Sequence, residues 1–169
     1  MKVLVRNADT GRTGLSIVPV TVPEPGGAEP FVLAPLFHEA PGRWIMVKCA
    51  PRANAPAYPF VAGGESFIPS AAPSVEGGQS ARVSLFAYNV KGGSTLELEG
   101  RLRGLDGRDA GDVHLVREGK DESGPGGALR LLCSFRPDGQ AKGLYSLLVT
   151  VRDRESGTEA QSGIPVEVR

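Results

Sequence analysis

Residues 143–169 read GLYSLLVTVRDRESGTEAQSGIPVEVR, and they carry a clear strand pattern. Apolar residues fall at every second position from 145 to 151 and again from 164 to 168, which is the pattern of strands with one buried face. Polar residues and Gly157 separate the two runs, as turn residues do. Pro165 has no N–H for a ladder, so it suits an edge strand or a strand start. The stretch therefore predicts two strands joined by a turn-rich loop.

The first of these strands begins with a glycine two residues before a tyrosine, Gly143 and Tyr145. That placement is found at the tyrosine corner of immunoglobulin-like sandwiches, where the phenol hydroxyl bonds to nearby backbone. The alternative is a core tyrosine without a special corner. Both interpretations fit the sequence.

A near-copy of this hairpin opens the chain. Residues 5–11 (VRNADTG) align with 151–157 (VRDRESG), and residues 18–22 (VPVTV) align with 164–168 (IPVEV). Both pairs of segments share an offset of 146 positions, and neither needs a gap. A spacing of this size is typical of tandem domains and not of solenoid repeats. The alternative is coincidence, since many β-hairpins contain Val, Pro and Gly.

The repeat divides the chain into two parts. Residues 1–30 are predicted to be the closing hairpin of a preceding β module, followed by the linker PEPGGAEP at 23–30. Residues 31–169 are predicted to form one immunoglobulin-like antiparallel β-sandwich, with its clearest strands in 81–169. There, short alternating segments are separated by turn residues every 8–12 positions or so, which is the signature of a sandwich. The predicted fold is therefore all-β, a sandwich preceded by a β-hairpin remnant or a small β lobe of an upstream module.

Three segments of this part can be assigned individually. Residues 31–38 are a candidate strand, which Pro35 makes either an edge strand or a bent one. Residues 43–49 are predicted to be a strand with Cys49 on one face. Val113 and Leu115 predict a short strand, and residues 120–127 (KDESGPGG) predict a mobile loop.

The composition agrees with many short strands and argues against several functions. The 23 glycines and 14 prolines are spread along the chain as turn residues, and no segment has a convincing helical period of apolar residues. The 19 basic and 19 acidic residues are interspersed and cancel, which argues against nucleic-acid and anionic-membrane surfaces. The sequence has no apolar run long enough to span a bilayer and no signal peptide. Because a fragment would have lost its leader, no cytosolic location is inferred.

The strand-and-turn pattern over most of the chain is similar to that of one family of bacterial proteins. The segments concerned are 3–14 (VLVRNADTGRTG), 18–23 (VPVTVP), 58–90 (YPFVAGGESFIPSAAPSVEGGQSARVSLFAYNV) and 143–157 (GLYSLLVTVRDRESG). They resemble the C-terminal, immunoglobulin-like region of VWFA-related proteins of the acidobacterial type. The resemblance implies a β-sandwich that is part of a longer exported chain. That chain would be extracytoplasmic, either periplasmic or secreted. The Asp-x-Ser-x-Ser motif of the A-domain metal site does not occur in this sequence, so no metal role carries over.

The sequence predicts no catalytic, cofactor-binding or metal-binding residues, and no cofactor. His38 and His114 are the only histidines and lie far apart, whereas zinc needs three or four ligands with close pairs. Asp106, Asp109 and Asp112 recur every third residue among glycines and could offer oxygen ligands to calcium. Their spacing is not that of an EF-hand, and Asp-Gly is common in turns. The Gly-Gly pairs are not followed by helices, so a phosphate site is not expected.

Three classes of function remain. We favour a non-catalytic structural or protein-interaction module of a larger exported bacterial protein, whose partner is another protein or a neighbouring module. The alternative is a carbohydrate- or cell-surface-binding module, in which Trp44, Tyr58 and Phe60 could form an aromatic platform, although core packing explains them equally simply. An enzyme is least favoured, because no ionisable residues form a catalytic pattern. Neither nucleic-acid binding nor membrane insertion is expected.

The opening hairpin needs a partner surface, because a two-stranded hairpin alone is marginally stable in water. It can dock on its own chain near residues 31–49, making a small second lobe. It can also pair with the same segment of a second molecule, giving a homodimer. The short Pro-rich linker limits its reach and favours the first option.

Both cysteines fall on the apolar phase of predicted strands. Cys133 lies on the strand before the tyrosine-bearing strand, whereas the usual bridge of these sandwiches reaches the tyrosine-bearing strand itself. We therefore expect Cys49 and Cys133 to be two buried thiols and not a disulfide. The predicted core comprises Val83, Leu85, Leu96, Leu98, Leu131, Phe135, Tyr145, Leu147 and Val149.

Overall fold

The structure is a computed structural model of the 169-residue chain. It describes residues 2–7, 9–17, 29–39, 60–62, 65–90, 96–123 and 127–169. These residues contain thirteen β-strands and no α-helix. The predicted all-β fold is therefore confirmed.

The strands follow the chain in this order. They are β1 (Lys2–Arg6), β2 (Thr13–Ile17), β3 (Phe31–Val32), β4 (Leu36–Glu39), β5 (Phe60–Ala62), β6 (Glu65–Pro69), β7 (Ser74–Val75), β8 (Ala81–Tyr88), β9 (Leu96–Gly104), β10 (Asp109–Ser123), β11 (Leu129–Arg136), β12 (Gly143–Asp153) and β13 (Glu159–Val168). β1 and β2 form a two-stranded sheet of their own.

The other eleven strands form one curled sheet. Its order is β5-β6-β4-β8-β11-β10-β9-β12-β13-β7, and β3 also pairs with β8. β10 joins the two halves of this sheet, because residues 114–123 pair with β11 and residues 109–113 pair with β9. The order β8–β11–β10 in one half and β9–β12–β13 in the other matches the B–E–D and C–F–G order of immunoglobulin-like domains. The sandwich itself stays a prediction.

The buried core draws its residues from both halves of the curled sheet. Residues of β8, β11, β12 and β13 belong to one cluster of buried side chains. Seven of the predicted core residues are buried, namely Val83, Leu85, Leu96, Leu131, Phe135, Leu147 and Val149. Leu98 and Tyr145 are partly buried and pack against the same cluster. Full burial of each large apolar side chain stabilises the fold by about 1.5–3 kcal/mol.

The sequence prediction was wrong about β10. A short strand near Val113 and a loop from residue 120 were expected, but the strand runs from Asp109 to Ser123. The register shifts between Asp109 and Gly111 and again between Glu118 and Glu122. Such bulges break the period-two pattern, because two residues on one strand then face a single residue on its partner. The alternation that marks a strand in sequence is therefore lost along this one.

The predicted strand at 31–38 is divided by a bend. β3 and β4 are separated by residues 33–35, with Pro35 buried at the break. Of the two alternatives expected from Pro35, an edge strand or a bent one, the structure shows the bend, since β4 pairs with both β8 and β6. The predicted strand at 43–49, with Cys49, lies outside the described residues, as do residues 18–28. Cys133 is buried in the core, and the state of the two thiols stays a prediction.

Candidate functional site

The two histidines lie in different parts of the sheet. His38 is on β4, where its Nε2 is 2.9 Å from the Oγ of Ser84 and its ring stacks on Phe67 with centroids 3.6 Å apart. Ser84 has no exposed surface, so its hydroxyl cannot meet a substrate in this structure. His114 is exposed on β10 and pairs in register with Arg136 of β11. The structure therefore does not bring the histidines together.

Asp106, Asp109 and Asp112, the three possible calcium ligands, each have a hydrogen-bond partner nearby. The backbone N–H of Arg108 donates to Asp106 Oδ1 and that of Gly111 donates to Asp109 Oδ1, both at 3.0 Å. Asp112 Oδ1 accepts a 2.9 Å hydrogen bond from Arg101 Nε. These carboxylates shape turns, as Asp does in many loops, and each forms an ion pair with Arg101 or Arg108. Among the residues that the structure describes, no group of three His, Cys, Asp or Glu could hold a metal ion.

Arginines and glutamates form ion pairs on the exposed face of β9, β12 and β13 and in the loop after β12. Arg152 Nη2 lies 2.9 Å from Glu159 Oε2, and Arg154 bonds Glu97. The hydrogen bond from Arg154 holds the pKa of Glu97 below its usual value. The hydrogen bond to Glu159 raises the pKa of Arg152, with smaller contributions from Glu99 and Glu97. Exposed pairs of this kind add little stability, and their mutual cancellation leaves this face without one dominant charge.

A shallow groove of about 320 Å³ lies beside the end of β13. Residues 71–73 form one wall, and Leu144 and Pro165 form the other. The N–H groups of Glu167 and Arg169 point to this side, since they donate to the carbonyls of Pro73 and Val75 at 2.9 and 3.0 Å. Pro165 has the same phase, so its missing N–H leaves a gap on the outer edge of β13. β13 is not the edge strand of the sheet, since β7 pairs with it at residues 167 and 168, but Pro165 lies outside that pairing, where its missing N–H costs no ladder bond.

The hairpin β1–β2 reproduces the hairpin β12–β13 in register. Arg6 pairs with Thr13, and Arg152 pairs with Glu159. These pairs are related by the offset of 146 positions seen in the sequence. The same offset relates all five residue pairs of β1 and β2 to pairs of β12 and β13.

The loops of the two hairpins also share their hydrogen bonds. In the first loop, Asn7 N–H donates to Arg12 O at 2.8 Å and Gly11 N–H donates to Asn7 O at 3.0 Å; in the second, Asp153 N–H donates to Thr158 O at 2.9 Å and Gly157 N–H donates to Asp153 O at 2.8 Å. The side-chain oxygens at 7 and 153 each accept the N–H two residues on, at 2.9 Å. The glycines at 11 and 157 have φ of 67° and 70°. The first aligned segments of the repeat are therefore structural equivalents, while residues 18–22 lie outside the described part.

The two hairpins differ in what lies beside them. β12 pairs with β9 at nine positions, from Tyr145 opposite Gly104 to Asp153 opposite Leu96. Within the described ranges, β2 is the only strand that pairs with β1. The hairpin β1–β2, which repeats a hairpin of the main sheet but forms a separate sheet, is the candidate interaction site. Sequence alignment identified the copied hairpin but carried no signal about which strands lie beside it.

Comparison with models of known protein families and with curated proteins finds no match for this chain. The resemblance to VWFA-related proteins therefore stays a prediction. In the described part of the chain, no helix is long and apolar enough to cross a membrane. The aromatic platform also stays a prediction, because Trp44 and Tyr58 lie outside the described residues.

Proposed function

We propose that this chain is a non-catalytic structural or protein-interaction module of a larger exported bacterial protein. The observation that carries the proposal is the duplicated hairpin, which has the same register and the same loop at both places in one chain. Duplication of a closing hairpin is what a series of homologous modules produces. The described side chains suit this role, since they include a packed core and paired surface charges.

The path of the chain supports an end-to-end series of modules. Phe31 pairs with Tyr88 at the last residue of β8, and their rings stack with centroids 4.5 Å apart. Asn89 Nδ2 also donates to Glu29 O at 2.9 Å, which fixes the end of the linker. Arg169, by contrast, bonds to Val75 and Gly77, shortly before β8 begins. The chain thus enters and leaves at opposite ends of a strand roughly 25 Å long.

An engineered tandem protein tests this proposal. It consists of residues 1–168 followed directly by residues 23–169, so that the hairpin β12–β13 of the first copy takes the place of β1–β2 before the second. Small-angle X-ray scattering should give a maximum dimension near twice that of the single chain. A particle that is compact in all directions would mean that the modules fold against each other side by side, which contradicts an end-to-end series.

The exported setting rests on the resemblance to VWFA-related proteins. Reading the gene upstream of this segment for a signal peptide and an A-type domain tests it. An upstream region that encodes neither would remove the exported part of the proposal and leave the modular part standing.

A further inference from the structure

We propose that the outer side of β13, from Glu159 to Gly163, is a self-association site at which the same segment of a second copy of this chain pairs antiparallel. The two copies would be related by a two-fold axis that passes beside Gln161. This lateral contact goes beyond the proposed role in a series of modules and does not depend on it.

The first argument is the direction of the backbone groups of β13. The N–H of Glu167 points away from β12, since it donates to Pro73 O at 2.9 Å. The register between β13 and β12 is unbroken along the whole strand. Because hydrogen-bonding direction alternates along a strand, Glu159, Gln161 and Gly163 present their N–H and C=O groups on the same outer side as Glu167.

The second argument is that this side of β13 is open to solvent. Within the described ranges, β7 is the only strand that pairs here, and it pairs only at the last two residues of β13. Glu159, Gln161 and Gly163 are all exposed. Gly163 has no side chain, so its exposed surface is backbone. A Cβ at Gly163 would lie 2.9 Å from Leu148 Cδ2, so Leu148 covers the face of the strand, and β12 lies along its other side. The exposed surface of Gly163 is therefore on the outer side.

The third argument is that the segment is complementary to itself. In the antiparallel pair, Gln161 faces Gln161 of the second copy and Glu159 faces its Gly163, so every outward N–H and C=O of the segment has a partner. No charge lies opposite Glu159, whose carboxylate is already held by Arg152. The Nε2 of Gln161 donates to Thr150 Oγ1 at 3.1 Å. Its second hydrogen remains for the amide oxygen of the facing glutamine.

The ends of the segment limit the pair to this length. Beyond Gly163, Pro165 has no N–H, and it would face Gly157 of the second copy, whose N–H already donates to Asp153 O. The groove beside Pro165 leaves room for the loop of the second copy. Natural sheets usually protect open edges with lysines, prolines or bulges, and residues 158–164 contain none of these. The edge is thus open over the part that can pair with itself.

Sedimentation equilibrium of the whole 169-residue chain tests the proposal. So short an edge buries less than the roughly 1,200–2,000 Å² of a stable interface. The dimer should therefore be weak, with a dissociation constant of about 1 mM. An unsatisfied strand edge is nevertheless a template for another strand, so a dimer should be measurable when the protein concentration reaches that value.

Substitutions at Gln161 locate the contact. Gln161→Lys should raise the dissociation constant by up to about fivefold, because it places like charges opposite each other at the two-fold axis. Gln79→Lys is the matched control, since it adds the same charge at an exposed glutamine in the turn after β7, and it should leave the dissociation constant unchanged. Gln161→Pro removes an outward N–H and no bond to β12, so it should abolish the dimer and leave the monomer folded.

A mixture of two charge variants tests the register of the pair. Gln161→Lys and Gln161→Glu should each associate more weakly than the wild type. An equimolar mixture should associate more strongly than either variant alone, because opposite charges then face each other at the two-fold axis. A fold defect in either variant could not produce this recovery.

Several results would overturn the inference. One is a wild type that stays monomeric at about 1 mM. Another is a dimer that Gln161→Pro leaves intact, which would place the contact elsewhere, such as on the hairpin β1–β2. The third is a mixture that associates no better than its separate components. The tandem scattering experiment uses dilute protein, so the two proposals fail separately.

Discussion

The hydroxyl of Tyr145 donates a 2.8 Å hydrogen bond to the carbonyl oxygen of Ala141, four residues upstream. This bond spans the connection between β11 and β12, the place where immunoglobulin-like domains have their tyrosine corner. Of the two interpretations that the sequence allowed for Tyr145, the structure confirms the corner. A Cβ at Gly143 would lie 3.5 Å from the tyrosine ring, an ordinary van der Waals distance, so the corner does not require a glycine at this position.

Tyr145→Phe should lower the free energy of unfolding by about 0.5–1.5 kcal/mol, the usual net value of one hydrogen bond. The ring stays in place, so the loss reports the hydroxyl alone. Urea titration measures it. Tyr145→Ala serves as comparison and should cost more, since it also removes packing against the core. Equal stability of Tyr145→Phe and wild type would show that the corner bond adds nothing.

Leu147→Ala should cost about 2–5 kcal/mol, because the side chain is fully buried and its removal leaves a cavity. Leu144 is the matched control, on the same strand and 49% exposed. Leu144→Ala should change stability by less than about 0.5 kcal/mol. A loss below about 1 kcal/mol at Leu147 would contradict the observed orientation of β12.

Gly100→Ala should be destabilising by about 1–3 kcal/mol through overpacking. A Cβ at Gly100 would lie 3.0 Å from Val113 Cγ2 and 3.1 Å from Leu115 Cβ, where β9 passes close to β10. Gly14→Ala is the control, because a Cβ there meets nothing within 4 Å. If both variants behave alike in thermal unfolding, the close approach of the two strands is wrong.

Glu97→Gln should reduce stability at neutral pH and have a smaller effect in acid. The hydrogen bond from Arg154 lowers the pKa of Glu97 below its ordinary value of 4.5. A group with a lowered folded-state pKa stabilises the protein above its unfolded value and loses this contribution as the pH falls through the folded value. The difference from wild type should therefore shrink below pH 4.5. Arg154→Gln removes the same pair and should show the same trend, whereas a gap that persists in strong acid argues against it.

The strands with one buried and one exposed face could be read from sequence. In β12, Leu147 and Val149 are fully buried while Ser146 and Thr150 are not, so the period of two survives in the residue types. The sequence of β10 shows no such alternation, because its two ends pair with different strands and its bulges shift the phase of the buried positions. Charged residues such as Glu118 and Glu122 pair with arginines of β8 and β11, and in sequence they resemble a loop.

The sequence predicted the copied hairpin of the candidate site but not what lies beside it. The match between residues 5–11 and 151–157 identified the copied hairpin, since loop geometry depends on local residues such as Asn7 and Gly11. What lies beside β1 depends on pairing with distant residues, as β12 depends on β9. Such pairing leaves no trace in the hairpin's own sequence.

The two glycines at equivalent loop positions provide a test of whether the first hairpin folds with the rest. Gly11 and Gly157 both have φ near 70°, where any other residue is strained by roughly 1–2 kcal/mol. Gly157→Ala should lower the global stability by about that amount, because β12 and β13 belong to the core. Gly11→Ala should leave the main unfolding transition unchanged, since its hairpin forms a separate sheet. Urea unfolding followed by near-ultraviolet circular dichroism measures both, and an equal shift in the two variants would mean that the hairpin docks on its own chain.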